Sequence, residues 1–202
     1  MQWLAANRWA RRALSSVSAV LAVVGVGMLA YPFATNLYQS RLQDRLEAEL
    51  VSSDLLDRYA AGRLSEGDAL TRLRIPATGV DVVVVEGTSS SALRAGAGHY
   101  PATALPGEEG NVAIAGHRTT YGRPFHDNDK LRKGDDVILD TPVGQFRYRV
   151  MTDPFVVESR DWTPIANVSG RSVLTLTACH PKGSARQRLV VRAELVPKAA
   201  AR

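Results

Sequence analysis

Only one cysteine occurs in the chain: Cys179, within the stretch LTLTACHPKGSARQRLVV from Leu174 to Val191. A thiolate is a strong nucleophile, but a thiol of ordinary pKa, about 8.5, is mostly protonated at neutral pH. A neighbouring base or cation must raise the reactive fraction. His117 closes the stretch NVAIAGH, where Ala113 and Ala115 share its parity and leave open space beneath it, and Gly116 permits close approach. His180 follows Cys179 directly, but successive side chains on a strand point to opposite faces. His99 and His126 fall in loops and compete with His117. Arg188 opens the stretch RLVVRAEL, with Arg186 as its nearest rival. A thiol, an imidazole and a guanidinium on three strand ends suit acyl transfer. The thiolate attacks a peptide carbonyl, the guanidinium bonds the developing oxyanion or holds substrate backbone, and the imidazolium protonates the leaving amine. No His or Cys pair has the spacing of a zinc knuckle or of H-E-x-x-H, so no metal or cofactor is expected.

Those three residues need strands to carry them, and from Ile75 onward short apolar runs alternate with turn signals. VDVVVVEG (Val80–Gly87), NVAIAGH, DDVILDT, GQFRYRVMTD, PFVVES, SVLTLTAC and RLVVRAEL read as strands. The loop YPATALPGEEG is too rich in Pro and Gly to continue a helix. A short helix is expected around Ser90–Arg94. Seven or eight short strands predict a sandwich or a closed barrel. Parity then sorts the faces. Leu174, Leu176 and Ala178 share one side of their strand, and Thr175, Thr177 and Cys179 share the other. Leu189, Val191, Ala193 and Leu195 share one side of the last strand, and Arg188, Val190, Arg192 and Glu194 share the other. With the leucine faces toward the core, Cys179 and Arg188 point away from it on the same side of a hairpin.

The N-terminal part is different. Residues Ala13 to Ala34 contain no charge, enough to cross a hydrocarbon core of about 30 Å. Arg8, Arg11 and Arg12 precede this stretch, and Trp9, Tyr31 and Tyr38 sit near its edges. The pattern predicts a cytoplasmic segment over 1–12 and a transmembrane anchor over 13–34, with the rest of the chain outside. A cleaved signal peptide would carry a shorter apolar region. Residues 35–72 read as a stalk, helical from 40 to about 60 and solvated. Ser40 and Gln43 have capping-box spacing, and Leu42, Leu46 and Leu50 recur on one helical face. A body over 73–197 and a tail over 198–202 complete the division. The net charge is +5, but the basic residues are dispersed, which argues against nucleic acid as a partner. A single cysteine excludes an internal disulfide.

NVAIAGHRTTYGRPF, followed further on by TLTACHPKGSARQRLVV, resembles the sortase family. GHYPATALPGEEGNVAIAGHRTTYG is similar to class E sortases of Gram-positive actinobacteria throughout. The likeness covers roughly Leu73 to Leu195. It implies an all-β fold, a closed eight-stranded sortase barrel with short helices. It also implies a cysteine transpeptidase that cleaves a C-terminal LAxTG- or LPxTG-type sorting signal after threonine and passes the acyl group to an amine of a cell-wall precursor. Cys179 is then the nucleophile, His117 the acid and base, and Arg188 the oxyanion or substrate-binding cation. Tyr100 and Thr177 are expected to bind substrate. The Tyr100 hydroxyl would reach the backbone N–H that alanine has and proline lacks. One departure is visible and is expected to leave the chemistry unchanged. Ala178 replaces the family's usual threonine before the cysteine, at a position of core parity. Glu108, Glu109, Asp127 and Asp129 do not match the calcium-binding pattern of some sortases, so calcium is not expected. The alternatives are a hydrolase of the same architecture and a non-catalytic envelope module that binds a wall component or a partner protein.

Overall fold

The computed structural model describes residues 8–197; the expected tail (198–202) and the start of the expected cytoplasmic segment lie outside them. Nine strands follow one another: β1 (Ala69–Ile75), β2 (Val80–Glu86), β3 (Ala97–His99), β4 (Gly110–Gly116), β5 (Asp136–Thr141), β6 (Gly144–Val150), β7 (Phe155–Glu158), β8 (Ser172–His180) and β9 (Gln187–Leu195). They hydrogen-bond in the order β6-β5-β1-β2-β3-β4-β8-β9, and β6 pairs with β9 to close the ring. The result is the expected eight-stranded barrel. Its ninth strand, β7, stands outside the ring. β9 is long enough to have two partners on one edge: β6 along Ala193–Leu195 and β7 along Gln187–Val190. Closure removes the free edges that an open sheet would expose.

Alternation fills the barrel. Leu174, Leu176 and Ala178 from β8 meet Val191 and Ala193 from β9, with Leu73, Ile75, Val82, Val84, Ile114 and Phe125 in the same cluster. Two strands are buried on both faces, and their sequences are unbroken apolar runs rather than alternating ones. Every residue of β4 is buried. In β2, Val82 and Val84 face the barrel interior, while Val83 and Val85 face a second cluster outside it.

That second cluster involves the N-terminal region. Helix α1 runs unbroken from Arg8 to Leu50, followed by α2 (Ser53–Ala60) and, between β2 and β3, α3 (Ser90–Ala95). Leu46 of α1, Leu55 of α2 and Ala92 and Ala95 of α3 pack with Val83 and Val85, flanked by Leu42 and Leu50. The stretch from Leu42 onward is therefore docked on the barrel, not solvated. The leucine stripe read as helical is the docking face. Ser40 does not cap a helix, because the chain is already helical before it; its hydroxyl donates to the Leu37 carbonyl. Upstream, α1 carries an exposed apolar stretch with a mean hydropathy of 2.1, long and apolar enough to span a membrane.

Gln43 serves a different purpose from capping. Val83 lies one residue before β3 begins pairing with β2 at Val84, so its backbone needs another partner. The Gln43 Oε1 accepts from Val83 N–H at 2.6 Å, and its Nε2 donates to the carbonyls of Val83 at 3.1 Å and Ala95 at 2.7 Å. One amide side chain thus acts as a short length of strand. Gln43→Ala leaves these part-buried groups unmatched and should lower unfolding stability by about 1–3 kcal/mol. Thermal denaturation of the full chain in detergent checks this; an unchanged midpoint would show that water replaces the amide.

Candidate active site

The register of three adjacent strands sets the site. β4 and β8 run parallel, with Gly116 opposite Ala178. β8 and β9 run antiparallel, with Cys179 directly opposite Arg188. One step past Gly116 puts His117 level with Cys179. The three residues proposed from parity therefore come from three neighbouring strand ends and share the outward side. Together with Tyr100, Thr177 and Trp162 they line a cleft of about 240 Å³.

The surroundings explain why the cleft is open there. Ala115, at the parity of His117, lines its floor with only a methyl group. Gly116 points inward, where an added Cβ would stand 2.6 Å from the Phe125 ring that fills the barrel beneath it. The outer face of β8 is covered lower down by the turn Thr163–Ile165. Asn111 Nδ2 donates to the carbonyls of Pro164 and Ala166, and the Thr175 hydroxyl donates to Pro164 and to Asn111 Oδ1. This buried network pins the turn and leaves the preceding Trp162 at the lip of the cleft, 63% exposed. Trp162 meets the Tyr100 ring edge-on, with centroids 6.5 Å apart. The Tyr100 hydroxyl lies 3.3 Å from that of Thr177. Tyr100 and Thr177 thus act as one hydrogen-bonded pair in the wall, on the same strand face as the thiol.

His117 is half-buried, and its pKa is lowered from the ordinary value, first by loss of solvent and then by the positive charge of Arg94. At neutral pH the imidazole is therefore in its basic form, able to accept a proton from the thiol. Cys179 is partly exposed. The Arg188 Nη1 donates to the carbonyls of Ala185 and Gln187, both at 3.0 Å. Those bonds hold the guanidinium and leave Nε and Nη2 without an acceptor among the described residues. Arg186 is exposed in the preceding loop and does not line the cleft.

The other histidines are engaged elsewhere. His99 is in β3, not in a loop as its sequence context suggested; a three-residue strand after Gly96 is too short to show alternation. It is fully buried, with Nδ1 2.8 Å from Glu86 and Nε2 3.0 Å from the Ala104 carbonyl. His126 donates from Nδ1 to the Arg118 carbonyl at 2.7 Å. The His180 Nδ1 accepts from Arg118 at 3.2 Å.

Arg118 escaped the sequence reading. It is only 3% exposed, and its Nη1 donates to the carbonyl of Cys179 at 3.4 Å as well as to His180. Its Nη2 reaches Asp129 at 2.9 Å. The residue after His117 therefore holds the backbone of Cys179 from the opposite side of the sheet. Only its adjacency to His117 could have suggested this. Tyr121, whose ring centroid is 5.4 Å from that of His117, was also missed.

The fold is a closed barrel with a thiol, an imidazole and a guanidinium at the ends of three adjacent strands, an arrangement suited to cysteine acyl transfer. The Sortase domain family model matches residues 73–196, and the chain belongs to that family. Sortases are cysteine transpeptidases. The chain is 31% identical over 195 residues to Sortase SrtE1 of Streptomyces coelicolor, covering 86% of this chain and 55% of that relative. It thus spans about half the length of that protein. Sortase E from Streptomyces avermitilis superposes with a TM-score of 0.59 at 38% identity, covering 66% of this chain and 91% of that one. A Clostridium perfringens Sortase D5 transpeptidase superposes with a TM-score of 0.68 at 27% identity, covering 79% and 98%.

The lowered pKa of His117 has a consequence for stability. A base whose folded pKa lies below its unfolded value, about 6.5, protonates more readily in the unfolded chain. Its contribution to stability is intact above 6.5 and is lost as pH falls through the folded pKa. His117→Asn should therefore lose less stability than the wild type between pH 7.5 and pH 5, as read by thermal denaturation. Equal losses would mean that the imidazole is better solvated than its surroundings indicate.

Proposed function

We propose that the chain is a membrane-anchored cysteine transpeptidase that cleaves an LAxTG- or LPxTG-type sorting signal after threonine and transfers the acyl group to a cell-wall amine. The observation that carries this reading is the register that brings His117, one residue past β4, level with Cys179 of β8 and its partner Arg188 of β9. Neutral His117 takes the Sγ proton as Cys179 attacks the threonine carbonyl carbon. The electron pair of the C=O moves to oxygen, and the free Nε and Nη2 of Arg188 stabilise that oxyanion. Collapse restores the carbonyl, breaks the C–N bond and expels the C-terminal fragment as an amine, which takes its proton from the His117 imidazolium. A thioester remains on Cys179. The acceptor amine then attacks it, His117 takes the amine proton, and collapse forms the new amide with the thiol restored.

The hydrogen-bonded Tyr100 and Thr177 wall bounds the path of the signal backbone. In this reading the Tyr100 hydroxyl accepts the N–H present with alanine and absent with proline at the second signal position. The apolar stretch 13–34 of α1 anchors the chain with Arg8, Arg11 and Arg12 on the cytoplasmic side and the barrel outside. This fits the sortases of actinobacteria that the chain resembles.

Intact-mass analysis of the full chain in detergent, with an LAxTG peptide and with or without an amine acceptor, tests the reaction. The wild type should carry the acyl fragment on Cys179 and release it as a joined product when amine is added; Cys179→Ala should show neither. Release to water alone would indicate a hydrolase. No adduct from either signal peptide would favour a non-catalytic envelope module. Arg188→Lys should cost on the order of 10²-fold in turnover, since a compact ammonium lacks the planar fork of donors. Near-normal activity would remove Arg188 from the oxyanion role. In the same assay, Tyr100→Phe should narrow the preference between Ala and Pro peptides, and unchanged selectivity would exclude the hydroxyl from recognition.

A further inference from the structure

The segment after His117 doubles back in a tight loop. Phe125 N–H donates to the His117 carbonyl at 3.1 Å, and Arg123 N–H to Thr120 at 2.9 Å. Within it Tyr121 and Arg123 hold φ of 50° and 42°. Left-handed backbone is uncommon for a bulky residue, and it persists where the surroundings over-determine it. Nothing in the loop's own sequence demands it at Tyr121.

The support comes from α1. The Asn36 Oδ1 accepts from Gly122 N–H at 3.0 Å. The Tyr31 and Tyr121 hydroxyls are 3.5 Å apart. Gly122 lies so close to the helix that an added Cβ would stand 2.5 Å from Gln39 Oε1. Tyr31, Asn36 and Gln39 thus present one stretch of α1 to the loop, and the Gln43 amide fixes the helix to the barrel a turn further on. On its other side Tyr121 packs against the imidazole of His117, with ring centroids 5.4 Å apart and planes tilted by 36°. The Arg94 guanidinium lies over the Tyr121 ring at 6.0 Å from its centroid.

We infer that Tyr121 is a positioning residue for His117 and that α1 holds Tyr121 in place, so the catalytic imidazole is oriented from the N-terminal helix. The inference rests on the proposed acid and base role of His117. Tyr121 covers one side of the ring and limits its rotation, while the opposite side opens on the cleft. It also keeps water from the imidazole. The charged and titratable groups around His117 are Arg94 from α3, Cys179 from β8, Arg188 from β9, and Tyr100 and Tyr121 from the loops. The lowered pKa of His117 agrees with that shielding. Tyr121 is not among the residues that line the cleft, and the contact it makes at the site is with the His117 ring.

The test uses the full chain in detergent and the peptide-transfer assay above. Tyr121→Ala should lower kcat by about tenfold or more with KM little changed, because misplacing a reacting group costs rate rather than binding. The acidic limb of its kcat/KM profile, which reports the free base, should move to higher pH as the imidazole regains solvent. Tyr121→Phe keeps the ring and should recover most of the rate and the wild-type limb. Asn36 is exposed, so Asn36→Ala should keep the wild-type melting temperature while lowering kcat and moving the same limb the same way. That variant decides the matter if Tyr121→Ala does not fold. Wild-type kcat and pH profile in both Asn36→Ala and Tyr121→Ala would overturn the inference. So would a rise in KM with an unmoved limb, which marks a substrate contact. Persisting transfer in Cys179→Ala would instead overturn the catalytic reading itself.

Discussion

The parallel pairing of β4 with β8 is the constraint on which the rest depends. These strands are far apart in sequence, and only their ladder brings His117 to the level of Cys179. The β8–β9 hairpin then supplies Arg188 through a local contact. Barrel closure makes the long-range pairing hard to shift. A one-residue slip would turn Leu174, Leu176 and Ala178 out of the core and Cys179 into it. The geometry of the site is thus tied to the burial of those leucines. The Cys179 thiol is kept outside the barrel by the same alternation that fills it.

Around this register, polar groups are placed where the sheet cannot satisfy itself. Gln43 completes the hydrogen bonds of Val83 before β3 begins. Asn111 and Thr175 anchor the turn at Pro164 across the outer face of β4 and β8. Arg118 links Cys179 and His180 to Asp129 beneath the sheet. Each of these side chains bonds to backbone as well as to any side-chain partner, so each fixes a strand end or loop rather than merely a neighbouring residue. The strand ends that carry His117, Cys179 and Arg188 sit within this set of backbone contacts.

Much of this was legible from residue types. Parity alone separated the core leucines from Cys179 and Arg188, because alternation is a local property of an extended chain. The choice of Arg188 over Arg186 came from the resemblance of RLVVRA to the family's arginine-led last strand, since both arginines share one parity; in the fold Arg188 lines the cleft and Arg186 does not. The cleft's open floor was foreshadowed by Ala115, whereas Ala113, at the same parity, is fully buried and does not line it. Other features depend on contacts between distant segments and leave no local trace. The leucines of the N-terminal region showed a helical face but not what would cover it; the partner proved to be Val83 and Val85, inside a valine run whose two-sided burial was itself a signal. His99 looked like a loop residue because β3 is only three residues long. Arg118 and Tyr121 flank the histidine in sequence, yet their importance depends on Asp129, on Cys179 and on a helix more than eighty residues upstream.

The position of β7 outside the ring has a mechanical consequence. On the edge away from β8, β9 is paired with the barrel strand β6 at its C-terminal end and with a four-residue, largely exposed strand, β7, at the end that bears Arg188. Detaching β7 would expose little apolar surface and open no seam in the core, so its opening free energy lies toward the low end of the molecule. The turn at Pro164, in contrast, is riveted by buried bonds. The segment between them carries Trp162, so the lip of the cleft is tied by buried bonds on one side and by a short, exposed ladder on the other.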